Sequence, residues 1–186
     1  MAGVLAASRK VLRVRRNGLG RAYAEYLGKL GAKVLVNDPQ VSAADAVAKG
    51  LGGDDHALAN YDSVVEGHKV VDAAMNKSGI LCTNLVLNGG DRMTKASWDI
   101  MREQEFGRIV NIASASGLYG NFGQANYSAA KLGIAGLTFT LCKEGGKRNI
   151  LANVVAPLAK SQMTEGLLEK DLNDKLTPDS VAAFVA

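Results

Sequence analysis

The residues of this chain that could do chemistry are a tyrosine, a lysine and a serine. Tyr127 and Lys131 are four apart and share one face of a predicted helix, and Ser114 follows residues 108–113, an apolar and β-branched run typical of a buried strand. A lysine ammonium one turn from a phenol favours the phenolate, which lowers the pKa of a tyrosine from about 10 toward neutral. That change prepares a tyrosine to act as a general acid or base.

The same pair also has a structural interpretation. An aromatic core residue beside a surface lysine gives the same spacing, because such pairs occur on many helices. Taken alone, the pair favours that interpretation. Other features of the chain are needed to distinguish a packing role of this pair from a catalytic one.

The elements that must position these side chains alternate between strand and helix patterns. This alternation predicts an α/β protein with a parallel sheet and helical crossovers, in one domain of 186 residues. Predicted strands cover 10–14, 33–37, 57–60, 84–88, 108–113 and 149–156. Predicted helices cover 21–30, 41–49, 64–76, 94–105, a segment that contains Tyr127 and Lys131 and ends at Lys143, 161–175 and a last segment from Pro178.

Composition excludes several classes of function. The net charge of +4 is mild, and one basic cluster near the N-terminus has no interleaved aromatic residues, which argues against nucleic acid as a partner. Cys82 and Cys142 have neither disulfide-framework nor metal-ligand spacing, so no metal site is predicted. His56 and His68 lie in polar segments and are interpreted as surface residues. We also expect no secretory signal and no membrane span.

A glycine-rich turn near the N-terminus indicates a nucleotide. Gly18, Leu19 and Gly20 open the first helix, where free amide groups and the helix dipole favour a pyrophosphate. Asp38 follows the next strand 20 residues after Gly18, where a carboxylate binds a ribose 2′-hydroxyl and repels a 2′-phosphate, so NAD is favoured over NADP. The alternatives are a helix start capped by Asn17 and a strand-terminating Asp38 before a proline.

Together these segments resemble the short-chain dehydrogenase/reductase family. The likeness runs through residues 17–24, 31–38, 59–67, 106–111 and 118–131 and extends to 163–165. Its most specific string is Gly-Asn-Phe-Gly-Gln-Ala-Asn-Tyr, ending at Tyr127. The strongest likeness is to the (3R)-hydroxyacyl-CoA dehydrogenase branch, which works in peroxisomal fatty acid β-oxidation.

The resemblance implies a Rossmann-like doubly wound sheet and a set of site residues. It implies Tyr127 as general acid/base, Lys131 as its partner and holder of the nicotinamide ribose, and Ser114 as hydrogen-bond donor to the substrate oxygen. It implies NAD as cofactor, an acyl-CoA substrate, a peroxisomal location and a homodimer. The implied cofactor-binding positions are Asn17, Gly18, Leu19, Gly20, Asp38, Asp62, Ser63, Asn88, Gly90, Tyr127, Lys131 and Pro157.

The chain departs from the family pattern in three places. Val14 and its arginine neighbours stand where the family has glycines, and a β-branched residue does not readily adopt a positive φ. The stretch at residues 90–94 is shorter than the family's, which removes part of the substrate wall and of the helix pair that forms dimers. We also expect the domain, residues 1–186, to be truncated at its C-terminus. These departures leave two alternatives open: a non-catalytic Rossmann-type fragment, and a reductase of carrier-bound 3-oxoacyl chains.

Overall fold

A computed structural model describes residues 10–12, 18–78, 84–87, 90–157 and 177–185 of the chain. Within these residues, six strands form one sheet in the order β3-β2-β1-β4-β5-β6, and every neighbouring pair is parallel. The strands are β1 (Lys10–Leu12), β2 (Val34–Asn37), β3 (Ala57–Asn60), β4 (Asn84–Leu87), β5 (Gly107–Ile112) and β6 (Ile150–Val155). The order runs outward from β1 in both directions, so the predicted doubly wound sheet is confirmed.

Helices cover both faces of this sheet. They are α1 (Leu19–Lys29), α2 (Val41–Gly50), α3 (Gly67–Ser78), α4 (Gly90–Glu103), α5 (Ala115–Tyr119), α6 (Ala125–Gly145) and α7 (Pro178–Val185). One core lies under α1, α2 and α7, and the other lies under α3, α4 and α6. Strand β2 shows the division, since Val34 and Val36 face the first core and Leu35 the second. Burial on both faces explains why this strand is a continuous apolar run.

Helix α4 begins four residues earlier than the sequence analysis predicts. It starts at Gly90 instead of Thr94, and Asp91 in its first turn complements the helix dipole. Met93 and Thr94 are buried, so the inward face of the helix already begins before the predicted start. The 14 residues of α4 meet the length that a parallel crossover from β4 to β5 requires.

A buried polar bridge fixes α6 on the sheet. The Asn111 side-chain amide donates to Thr138 Oγ1 at 2.9 Å, and the Thr138 hydroxyl donates to the Ile134 carbonyl at 2.7 Å. Both side chains are buried, and the Asn111 amide uses the Thr138 hydroxyl as its acceptor. The bridge connects the middle of α6 to the strand that leads to Ser114.

Candidate active site

The predicted site residues that the structure describes lie along one edge of the sheet. Because all the strands are parallel, their carboxyl ends share this edge, and the strand order reverses there between β1 and β4. The following candidates succeed the strands at that edge: Gly18, Leu19, Gly20, Asp38, Asp62, Ser63, Gly90, Ser114 and Pro157. Asn17 and Asn88 lie outside the described residues, as do Val14 and its arginine neighbours.

Lys131 is not a surface residue. It is only 8% exposed, its ammonium donates to the Ile112 carbonyl at 2.8 Å, and Nζ lies 5.7 Å from the centre of the Tyr127 ring. A buried lysine needs compensation for its lost hydration, and here a strand-end carbonyl and an aromatic face provide part of it. The packing interpretation assumed a surface lysine, and the structure contradicts that assumption.

Ser114 lies at the carboxyl end of β5, where Lys131 is also held. It follows β5 in extended conformation and caps α5, with its Oγ accepting from the Ser116 amide at 3.3 Å. Ile112, whose carbonyl holds Lys131, lies two residues before it. The end of β5 therefore joins the serine to the lysine, and Tyr127 is half-buried one turn before Lys131 on α6.

The start of α1 has no side-chain cap among the described residues. Gly18 is the N-cap of this helix with φ 77°, a conformation that favours glycine. The first amide groups of an α-helix have no intrahelical partner, and here no described side chain accepts from them. The predicted Asn17 cap falls outside the described residues.

Asp38 has a turn role that the structure shows directly. Its Oδ1 accepts from the Gln40 amide at 2.9 Å, and its own amide donates to the Asn60 carbonyl at 3.0 Å. This turn carries the chain from β2 into α2, as the alternative interpretation of Asp38 required. Its contact with a ribose stays a prediction.

Sequence reasoning missed a buried network beside Asp62. The Asn37 amide donates to Asn60 Oδ1 at 2.6 Å and to the Asp62 carbonyl at 2.8 Å, and the Asn60 amide donates to Asp62 Oδ2 at 2.8 Å. Asn37 and Asn60 are direct partners in the register of β2 and β3. The sequence feature that could have indicated this network is the asparagine at the end of each of two successive predicted strands. The network fixes the Asp62 carboxylate, one of the predicted cofactor-binding positions.

Ser63 caps the turn that follows β3. Its Oγ accepts from the Val65 amide at 3.3 Å, at the start of a short 3₁₀ turn that precedes α3. The Glu66 carboxylate does not reach back, because it pairs with Lys69 at 2.7 Å. That pairing raises the pKa of Lys69.

Two further findings concern other kinds of site. Among the described residues, no group of histidine, cysteine and acidic side chains could hold a metal ion. The helices in that part of the chain include none that is long and apolar enough to cross a membrane.

Comparison with known proteins identifies the family. A model of the short chain dehydrogenase family matches residues 81–172. A putative short-chain type dehydrogenase/reductase of Mycobacterium tuberculosis is 38% identical over 91% of this chain and 72% of its own length. The chain belongs to the short-chain dehydrogenase/reductase family, a family of oxidoreductases.

Peroxisomal relatives show the branch that the chain resembles. The peroxisomal hydratase-dehydrogenase-epimerase of Neurospora crassa is 42% identical over 91% of this chain. The solved structure of full-length peroxisomal multifunctional enzyme type 2 from Drosophila melanogaster has 33% identity, covers 96% of this chain and superposes with a TM-score of 0.74. The chain spans 23% of the first relative and 35% of the second.

The alignment with the Neurospora relative also shows missing residues. It runs over 206 residues while covering 91% of a chain of 186, so the relative carries residues inside the aligned region that this chain lacks. Internal shortening was expected from residues 90–94, where α4 follows β4 almost directly.

Proposed function

We propose that this chain is an NAD-dependent dehydrogenase that interconverts (3R)-3-hydroxyacyl-CoA and 3-oxoacyl-CoA. The observation that supports it best is the buried Lys131 ammonium, held at the carboxyl end of β5 beside the Tyr127 ring. A packing role gives no reason to bury an ammonium at the edge of the sheet where ligands bind. The acyl-CoA substrate is proposed from the likeness to peroxisomal hydratase-dehydrogenase-epimerase.

The site residues have distinct roles in this proposal. Tyr127 accepts the proton of the 3-hydroxyl during oxidation and returns it during reduction. Ser114 donates a hydrogen bond to the same oxygen and, with the tyrosine, stabilises the charge that develops on it. The Lys131 ammonium lies near the phenol ring and adds positive potential where the phenolate forms.

The described residues fit a dinucleotide along the same edge. The first turn of α1 offers uncapped amide groups to the pyrophosphate, and Asp38 lies where a ribose hydroxyl is expected. We assign Asp62, fixed by Asn60, to the adenine end. Ser63 and Pro157 complete the ends of β3 and β6. When bound, the nicotinamide supplies the hydride acceptor, and the protein orients it. Because Asp38 repels a 2′-phosphate, we propose NAD over NADP.

Location and assembly follow as further parts of the proposal. A peroxisomal location is proposed because the Neurospora and Drosophila relatives are named as peroxisomal enzymes. A homodimer is proposed through α4 and α6, where Leu132 and Phe139 leave 53% and 60% of their surfaces exposed.

A second candidate function has its own observation. The residues missing relative to the Neurospora enzyme favour a non-catalytic module that keeps the fold without turnover. A reductase of carrier-bound 3-oxoacyl chains would use the same three residues, so substrate assays distinguish it.

NAD titration followed by thermal unfolding separates the first two candidates. A ligand at 100 times its Kd stabilises a protein by about 2.7 kcal/mol, which raises Tm measurably. We expect this shift with NAD and a smaller one with NADP, and NAD reduction on addition of a (3R)-3-hydroxyacyl-CoA. No shift at millimolar NAD would contradict the enzyme proposal and support the non-catalytic module.

A further inference from the structure

Helix α5 lies unusually close to the backbone of α6 at Gly117. A Cβ atom built on Gly117 would lie 2.9 Å from the Leu132 amide nitrogen, 2.9 Å from Lys131 Cβ and 3.0 Å from the Lys131 carbonyl carbon. Side-chain carbons in folded proteins do not approach other atoms this closely. Two of the three contacts are with backbone, which cannot rotate away as a flexible side chain can.

The glycine is not required for its conformation. Gly117 lies inside α5 and is absent from the residues with positive φ, so an alanine could adopt its backbone without strain. Alanine is also a better helix former than glycine by about 1 kcal/mol. The cost of a side chain at this position therefore comes from the space that Lys131 and the Leu132 amide occupy.

This contact connects the two halves of the proposed site. The Gly117 amide donates to the Ser114 carbonyl at 2.9 Å, so the serine and the glycine belong to one rigid turn. On the other side, Lys131 is held to the Ile112 carbonyl, and Tyr127 precedes it by one turn. A displacement of α5 from α6 would therefore separate Ser114 from the tyrosine and the lysine.

We propose that Gly117 is a positioning residue that sets the distance between Ser114 and the Tyr127–Lys131 pair. The inference rests on the proposed function, in which these three side chains act on one substrate oxygen. Both Ser114 and Tyr127 must reach that oxygen, so a shift of a few tenths of an ångström in α5 lengthens one of the two hydrogen bonds. Misplacement by about 1 Å costs about 100-fold in rate in well-oriented reactions.

Gly117→Ala tests this proposal against two controls on α6. A Cβ on Gly145 would lie 2.6 Å from the Ile150 carbonyl oxygen, a closer clash at the far end of the same helix, next to the start of β6. A Cβ on Gly133 would have no atom within 4 Å. Gly145→Ala therefore measures the effect of a steric clash away from the site. Gly133→Ala measures the effect of replacing a helix glycine by alanine without a clash.

Steady-state kinetics with NAD and a (3R)-3-hydroxyacyl-CoA provide the readout. We expect Gly117→Ala to lower kcat by about 10- to 100-fold while KM for NAD changes less than about 3-fold. Gly145→Ala should lower Tm and keep kcat, and Gly133→Ala should keep kcat and raise Tm slightly, because alanine favours the helix. A Gly117→Ala enzyme with kcat within about 3-fold of wild type overturns the proposal. So does a Gly117→Ala chain that fails to fold while Gly145→Ala folds, because Gly117 would then act on the fold.

Crystal structures of the same variants separate this inference from the proposed function. We expect the distance from Ser114 Oγ to Tyr127 Oη to lengthen in Gly117→Ala and to stay unchanged in Gly145→Ala. If the wild-type chain shows no turnover and this displacement is present, the proposed function fails and the positioning role stands. If the distance is unchanged in Gly117→Ala, the positioning role is wrong whatever the activity.

Discussion

Single residues carry the catalytic proposal, and Lys131 is the most informative of them. Its ammonium is buried and held by the Ile112 carbonyl, with the Tyr127 ring 5.7 Å away. A position of this kind is costly unless the charge is used or compensated. Tyr127 itself is half-buried, which leaves part of its side chain open to a ligand.

Replacement of the tyrosine hydroxyl tests the acid/base role. We expect Tyr127→Phe to lower kcat by about 100-fold or more, because proton transfer by a positioned side chain contributes about that much. The Kd for NAD should change little. Tyr119→Phe is the matched control, since Tyr119 lies eight residues away and is 86% exposed. Equal activity of Tyr127→Phe and Tyr119→Phe would contradict the assignment.

At the scale of elements, α6 has to be held in register with β5. The Asn111–Thr138 bridge holds the middle of α6 against β5. The Lys131–Ile112 hydrogen bond holds the part of α6 that is nearer to the proposed site. Both attachments reach β5 or the residues that follow it. The helix and the strand therefore move as one unit, which keeps Tyr127 near Ser114.

Thr138→Val tests the bridge at nearly constant volume. The substitution leaves the buried Asn111 amide without its acceptor, which should lower the free energy of unfolding by about 1–3 kcal/mol. Thr140→Val is the control, because the exposed Thr140 hydroxyl bonds only to the Gly136 carbonyl of its own helix at 3.3 Å. Urea denaturation of both variants measures the difference. Equal stabilities would show that the bridge contributes nothing.

Helix α1 contains a buried tyrosine, Tyr23, whose replacement by phenylalanine should raise the stability of the fold. Tyr23 is 3% exposed, its hydroxyl has no hydrogen-bond partner among the described residues, and burial raises its pKa. Removal of an unsatisfied buried hydroxyl should raise the free energy of unfolding by about 1 kcal/mol in Tyr23→Phe. Tyr23→Ala should instead be destabilising, because it leaves a cavity.

The same phenol predicts a pH dependence. Because the pKa of Tyr23 is higher in the folded than in the unfolded chain, its contribution to stability is constant below about pH 10 and falls as pH rises further. Tyr23→Phe lacks this contribution. The stability advantage of Tyr23→Phe over wild type should therefore grow between pH 9 and pH 11, measured by urea denaturation. A constant difference would contradict the raised pKa.

At the scale of the whole molecule, α7 completes the helix layer on one face of the sheet. It packs against α1, and Ala182 is 1% exposed in the core that contains Ala24 and Val36. This contact joins the last described helix to α1, which is distant from it in sequence. The position of α1 therefore depends on this packing.

A charge placed in this contact should destabilise the molecule. We expect Ala182→Glu to lower the free energy of unfolding by about 3 kcal/mol, because a carboxylate loses its hydration there. Ala183→Glu should change stability by less than about 0.5 kcal/mol, since Ala183 is exposed on the neighbouring position. Thermal unfolding of both variants checks this. Similar Tm values would show that α7 does not dock on α1.

Most element types could be read from the sequence because apolar periodicity reports burial locally. Strand β3 was predicted with its observed bounds, β2 differs by one residue at its start, and β6 differs by one residue at each end. The predicted start of helix α4, Thr94, is four residues too late. Asp91, an acidic residue in the first turn, and the buried Met93 both precede Thr94 and already belong to the helix. The segment predicted as a helix over 161–175 lies outside the described residues.

The sequence by itself determined the family, the alternation of strands and helices, and the residue types at the proposed site. Local spacing and a long specific string are sufficient for these, because they need no knowledge of distant contacts. Only the tertiary structure decided that Lys131 is buried on the Ile112 carbonyl, that Asn37 and Asn60 fix Asp62, and that Gly117 lies against the Lys131 backbone. Each of these depends on which atoms from separate elements meet, and parallel pairing and helix packing set that in three dimensions.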